Sequence, residues 1–205
     1  MKVLLINGSP RAKGNTSLAL TTMAEVFAAE GIETEIIQVG HLNLRGCVGC
    51  GGCFKTGKCV VGDIVNEVSK KLKDADGLVL GSPVYYASAN GTLVSFLDRL
   101  FYSSNFDMRM KVGASVAVAR RGGCSATFDQ LNKYFTICGM PIASSTYWNS
   151  VHGGKPGDAA EDGEGLVTMR NLAKNMAFLM RSIALGKEKY GLPQPEERVF
   201  TNFIR

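Results

Sequence analysis

The chain has 205 residues, enough for one domain with a full core and few for two. With 45% hydrophobic and 20% charged residues it has the composition of a globular protein in water, and no apolar run is long enough to cross a bilayer. The net charge of +5 is scattered, and its densest run (Lys70, Lys71, Lys73) has the spacing of a solvated helix face among acids, which argues against a nucleic-acid patch.

Val3-Leu4-Leu5-Ile6 is too short for a signal-peptide core and reads as a strand buried on both faces, so the protein is expected in the cytoplasm. From Asn15 the spacing turns helical: Leu20, Met23, Ala24 and Phe27 share a face, and Gly31 closes the helix. Thr34 to Val39 is the second strand, and Val65, Val68 and Leu72 mark the second helix. Gly77 to Gly81 is the third strand, running into Ser82-Pro83, and Leu93, Phe96, Leu97, Leu100 and Phe101 mark the third helix. Lys111 to Ala119 gives the fourth strand, Phe128, Leu131, Phe135 and Cys138 the fourth helix, and Ile142 to Tyr147 the fifth strand. A last helix carries Leu166, Met169, Leu172, Met176, Met180 and Ile183 and ends near Gly186; Glu161, Asp162 and Glu164 stand at its start, where the helix dipole favours acids.

Strands alternating with helices in this way need crossovers, which gives an α/β fold: a doubly wound five-stranded parallel sheet with helices on both faces. One domain over 1–205 is expected, with a cysteine-rich loop at 46–60 and a C-terminal arm at about 187–205.

The turn from the first strand into the first helix, Asn7-Gly8-Ser9-Pro10-Arg11-Ala12-Lys13-Gly14-Asn15-Thr16-Ser17, carries the strongest chemical signal. A helix N-terminus presents unpaired N–H groups and positive partial charge, glycines let the backbone curl close, and Ser9, Asn15, Thr16 and Ser17 add side-chain donors. A nucleoside-triphosphate loop wants lysine and then Ser or Thr after its second glycine, whereas Gly14 is followed by Asn15. A dinucleotide turn wants an acid at the end of the second strand, where this chain has Gln38-Val39-Gly40. A monophosphate remains, with an ordinary helix cap as the bland alternative.

Gly8-Ser9-Pro10-Arg11 with Gly14-Asn15-Thr16 resembles the phosphate loop of the NADPH-dependent FMN reductase branch of the flavodoxin-like proteins. Gly81-Ser82-Pro83-Val84-Tyr85-Tyr86, followed by Gly91-Thr92 and Phe96-Leu97-Asp98-Arg99, is similar to that family's flavin-ring loop and the helix after it. The resemblance implies a flavodoxin-like strand order 2-1-3-4-5, whose topological switch point brings both loops to one crevice. It further implies that Ser9, Arg11, Asn15, Thr16 and Ser17 hold the FMN phosphate and that Pro83, Val84, Tyr85 and Tyr86 lie along the flavin ring. After the fourth strand, Ala119-Arg120-Arg121-Gly122-Gly123 reaches the same rim; Arg120 and Gly122 are candidates for the far side of the ring, with plain surface charge the alternative for the arginines.

Cys47, Cys50, Cys53 and Cys59 have the spacing C-x2-C-x2-C-x5-C on a glycine-rich loop. Thiolates in such steps can wrap one compact cluster, whereas zinc more often takes two knuckles with a longer gap between them. The loop also resembles the compact cysteine motif of the iron–sulfur flavoproteins, which implies a 4Fe-4S cluster; redox thiols rank second and zinc third. Because the loop follows the second strand, it is expected on the same rim as the flavin. Cys124 and Cys138 read as ordinary buried or loop residues, and Trp148, Asn149 and His152 as a loop after the fifth strand.

The resemblance implies an FMN-dependent oxidoreductase that takes electrons from NAD(P)H and reduces flavin, quinone or a similar small acceptor. The alternative is an iron–sulfur flavoprotein relaying electrons from a ferredoxin-like donor through a 4Fe-4S cluster and FMN. Families of this kind commonly form dimers or tetramers, so a homodimer or homotetramer is the expected assembly.

Overall fold

The computed structural model describes residues 1–197 and 199–203. Strand β1 (Lys2–Asn7) lies between β2 (Glu33–Gln38) and β3 (Gly77–Tyr85), parallel to both, and β5 (Val112–Ala119) and β6 (Ser150–His152) extend the sheet in the order β2-β1-β3-β5-β6. A two-residue strand, β4 (Ser88–Ala89), folds back antiparallel onto the end of β3 and makes the sheet six-stranded. Apart from that hairpin, the doubly wound expectation holds.

The pleat sorts the apolar residues of each strand to two faces. Val3, Leu5 and Val79 pack under α1 (Asn15–Ala29) and α6 (Gly163–Tyr190), against Leu20, Met23, Phe27, Leu172 and Met176. Leu4, Ile6, Leu78 and Leu80 pack under α3 (Ile64–Asp74), α4 (Gly91–Ser103) and α5 (Cys124–Ile137), against Val68, Leu72, Phe96, Leu97 and Phe135. Each fully buried Val, Leu, Phe or Met stabilises the fold by about 1.5–3 kcal/mol, so these two cores outweigh any single surface contact. No helix among the described residues is long and apolar enough to cross a membrane.

Four expectations need correction. The last strand is Ser150–His152, not Ile142–Tyr147. Ile142 makes one bridge to Gly113, and the chain then leaves the sheet, its polar Ser144 and Ser145 bonding to Asn175 and the Thr168 carbonyl of α6. Trp148 and Asn149 thus precede the last strand, and His152 ends it. Strand β3 continues through Ser82-Pro83-Val84-Tyr85, because β5 pairs with it as far as Pro83 and β4 pairs with Val84 and Tyr85. A short helix, α2 (Gly52–Thr56), interrupts the cysteine loop. Helix α6 runs past Gly186 to Tyr190 and stops at Gly191, whose φ of 73° ends it; residues 187–190 are therefore its last turn, and not arm. Of the arm, Arg198, Ile204 and Arg205 lie outside the described residues.

Candidate functional site

The loop between β1 and α1 is fixed from below by β2. Asn7 Oδ1 accepts from Ser9 N at 3.0 Å, Ser9 Oγ accepts from Arg11 N at 3.1 Å, and Gln38 Nε2 donates to the Ser9 carbonyl. Gly40 passes so close that a Cβ on it would lie 2.1 Å from the Gly8 carbonyl oxygen. The cap of α1 is Gly14, which offers no side-chain acceptor, and the first turn holds no acid. The leading N–H groups of α1 are therefore left for an anion. They face a cavity of about 180 Å³ whose walls include Ser9, Arg11, Asn15 and Thr16 on one side, Pro83, Val84 and Tyr85 on another, and Arg120 with Gly153 and Gly154 on a third.

Two donors expected for the phosphate are placed otherwise. The Asn15 carboxamide accepts from Gly157 N (2.9 Å) and Ala159 N (3.3 Å) and donates to the Lys155 carbonyl (2.9 Å). Its side chain clamps the loop after β6, and its backbone N–H is what it brings to the helix terminus. Ser17 is half-buried and lies off the cavity wall, while Thr16 is buried in it.

The β3–β4 hairpin turns on Tyr86 and Ala87, with φ of 50° and 58°. Positive φ at both central residues is the hairpin turn that matches strand twist, normally made by Asn or Gly. Non-glycine residues there cost about 1–3 kcal/mol each and persist only where neighbours enforce them. Here α5 does so. Gln130 Oε1 accepts from Ser88 Oγ (2.8 Å) and Ala89 N (2.9 Å), and Gly123 sits where a Cβ would be 2.8 Å from Ala87 Cα. Tyr85 lines the cavity, Tyr86 points from the hairpin tip into solvent, and Gly122 is exposed and off the cavity wall. Gln130→Ala strands the Ala89 N–H and should cost about 1–3 kcal/mol, measured by urea unfolding; an unchanged midpoint would show that the turn stands without Gln130.

The cysteine loop does not stay on that rim. A Cβ on Gly57 would lie 4.0 Å from Asn105 Cβ, and Cys53 Sγ donates to the Tyr102 carbonyl at 3.8 Å, at the far end of α4. A crossover helix after a parallel strand runs back down the sheet, so Arg99 stands about 12 Å along the axis below Gly91. There Cys47, Cys50, Cys53 and Cys59 line one cavity of about 120 Å³, together with Arg99 and Ser103. All four are free; Cys47 and Cys50 are exposed and Cys53 is buried. No group of three or more His, Cys, Asp or Glu among the described residues is drawn together as a closed single-ion site, so the arrangement by itself does not choose between a cluster, zinc and free thiols.

Arg99, only 2% exposed, ties this loop to α4. It makes a fork to Asp63 (2.7 and 2.8 Å), donates from Nε and Nη2 to Cys59 Sγ (3.3 Å each), and reaches the carbonyls of Arg45 and Val61. The Asp63 carboxylate, and then the Cys59 sulfur, hold its guanidinium above its already high range, so it is a permanent cation. The Ser103 hydroxyl is buried with no hydrogen-bond partner among the described residues.

The profile of the family described as NADPH-dependent FMN reductase matches residues 1–155. The chain belongs to this family. It falls in the iron–sulfur flavoprotein branch: it is 40% identical over 191 residues to an iron–sulfur flavoprotein of Methanocaldococcus jannaschii, covering 89% of this chain and 99% of that one. An iron–sulfur flavoprotein of Methanosarcina thermophila is 30% identical over 194 residues, covering 92% and 100%. Among solved structures, RosB with bound 8-demethyl-8-formylriboflavin-5'-phosphate superposes with a TM-score of 0.70 at 16% identity, over 100% of this chain and 94% of that one, a likeness of fold. The reductase family is one of FMN-binding oxidoreductases.

The sequence pointed to Ser9, Arg11, Thr16, Pro83, Val84, Tyr85 and Arg120, and the fold of this family member brings them to one cavity. Gln130 and Ser103 carried no visible signal; Gln38 and Gly40 stood out only as a missing acid, and Arg99 only as one residue of the second match. Asp162 accepts the His152 backbone N–H at 2.6 Å, stands 3.6 Å from its Nδ1, and caps α6 by accepting from Gly165 N. Burial pushes the Cys124 thiol up, which makes it a poor nucleophile at neutral pH.

Proposed function

We infer that this protein is an electron-transferring flavoenzyme whose FMN lies in the cavity at the N-terminus of α1 and whose four clustered cysteines hold a 4Fe-4S centre. The observation that carries the reading is the lining of a single cavity by Cys47, Cys50, Cys53 and Cys59, with a buried cation on one of them. The donor set fits: four sulfur ligands suit a cubane, and Arg99 offsets the negative charge that thiolates and sulfides accumulate. When bound, FMN supplies hydride or single-electron chemistry and the cluster single-electron chemistry.

The chain's own part is positioning. The free N–H groups of α1, with Ser9, Arg11 and Thr16, would hold the phosphate, the backbone of Pro83 to Tyr85 would lie along the ring, and Arg120 would close the far side; all of these line the one cavity. Helix α4 joins the two centres, its cap Asn90 bonded to Ser82 beside the hairpin and its last turns carrying Arg99 and Ser103. The acceptor is a small oxidant such as a flavin or quinone, and the donor to the cluster is a ferredoxin-like protein. A direct NAD(P)H reductase is the second reading, favoured by the exposed Arg11 and Arg120 on the cavity wall, which suit dinucleotide phosphates.

Protein purified without oxygen is expected to carry one FMN and about four irons per chain, as a cubane requires. Its flavin should bleach quickly with reduced ferredoxin and slowly with NADPH. Flavin bands with no iron, bleached at once by NADPH, would overturn the first reading and establish the second.

A further inference from the structure

Arg99 and Ser103 stand one helical turn apart on α4, and both line the cysteine cavity. They are 2% and 4% exposed, so neither serves the solvent. Asp63 alone does not account for Arg99: besides the fork to that carboxylate, Nε and Nη2 both aim at Cys59 Sγ. Nor does anything among the described residues account for the Ser103 hydroxyl. It is one of three buried side-chain N or O atoms without a hydrogen-bond partner among the described residues. An unpaired buried hydroxyl is a standing cost, and one on the wall of a cavity marks where an acceptor belongs. Alanine would fold as well there if nothing filled the cavity.

We propose that Arg99 and Ser103 are N–H and O–H donors to sulfur atoms of the centre held by the four cysteines, and that together they raise its reduction potential; this rests on the cluster reading of the loop. The cause is differential binding. Taking up one electron breaks no bond and adds one negative charge, which spreads onto sulfur, and a hydrogen bond or a nearby cation stabilises that more negative state more than the oxidised one. Arg99, a permanent cation in a nearly dry setting, should act through charge and two N–H groups, and Ser103 through a single neutral donor. Both are positioning residues: neither is a cluster ligand, and neither exchanges a proton with substrate.

The test compares wild type, Ser103→Ala and Arg99→Lys, all purified without oxygen. Iron and sulfide are assayed, and midpoints are read by dithionite titration with mediator dyes, following the cluster by electron paramagnetic resonance and the flavin by its visible bands. Ser103→Ala should keep its iron, and at a fixed potential its ratio of reduced to oxidised cluster should fall about tenfold, a downward shift of about 59 mV for one electron. Arg99→Lys keeps the charge and a contact to Asp63 but loses the two-pronged approach to Cys59, and should shift in the same direction. The flavin midpoint should stay put in both. The apoprotein of Ser103→Ala should unfold no earlier than wild type, since it loses only an unpaired hydroxyl. Iron-loaded variants with wild-type cluster midpoints would overturn the proposal, as would loss of iron from Ser103→Ala with its fold intact. Wild type without iron would instead strike down the cluster reading itself.

Discussion

Gly40→Val should weaken FMN binding at least about 100-fold while leaving the sheet folded. A Cβ at Gly40 would stand 2.1 Å from the Gly8 carbonyl oxygen and 2.3 Å from the Ser9 carbonyl carbon, both backbone atoms that cannot swing aside as a side chain can. The loop must therefore shift as a body, and it carries the approach of Ser9, Arg11 and Gly14 to the anion-binding end of α1. Displacing donors that must point at one phosphate should weaken FMN at least about 100-fold, or about 2.8 kcal/mol. Titration of the apoprotein with FMN, followed by flavin fluorescence, measures it, with far-ultraviolet circular dichroism as the control for the fold. Gly62→Ala is the matched control, because a Cβ there meets nothing within 4 Å; it should bind as wild type does. Normal FMN affinity in Gly40→Val would mean that the loop yields without loss and that its position does not govern binding.

Gly40 also shows where sequence reading stops. The β1 strand, the loop to Gly14 and the start of α1 at Asn15 were legible, because they are local: an apolar run, a turn and a helical period follow one another directly. The same holds for the Ser82 to Tyr85 segment and for the cysteine spacing. What decides geometry between elements left no local trace. Gln38 and Gly40 drew notice only for lacking an acid, yet they are what hold the phosphate loop from β2. Strand β6 was misplaced because Ser150-Val151-His152 offers one buried apolar residue, while Ile142 to Tyr147 has the stronger strand composition; pairing with Ala117–Ala119 decided the matter. The cysteines were placed on the flavin rim because the loop leaves β2 there. A loop of this length can travel, and contacts with Tyr102 and Arg99 draw it down α4. Arg99 itself looked like one charge in a family motif, and its burial could not be read from a charged residue type that is usually exposed.

Arg99→Met should destabilise the apoprotein by about 1.5–3 kcal/mol, because it takes the buried partner from an ion pair and leaves the partly buried Asp63 carboxylate without its charged hydrogen bonds. Asp63 would lose two short hydrogen bonds and the Arg45 carbonyl a donor, while the Val61 carbonyl would keep its bonds from Asp63 N and Asn66 Nδ2. Urea unfolding of metal-free protein measures this loss with no contribution from a cluster. Lys2→Met is the contrast: it breaks surface pairs with Glu33 and Glu35 and should leave the unfolding midpoint nearly unchanged. Asp63 also caps α3 by accepting from Val65 N, a bond that asparagine can keep. Asp63→Asn added to Arg99→Met therefore removes the stranded charge without removing the cap, and should recover a substantial part of the loss. Strict additivity of the two changes would show that Arg99 and Asp63 are not coupled. Coupling with partial recovery would instead identify the pair as the rivet fastening the cysteine loop to α4, and so as what sets the distance between the two cavities.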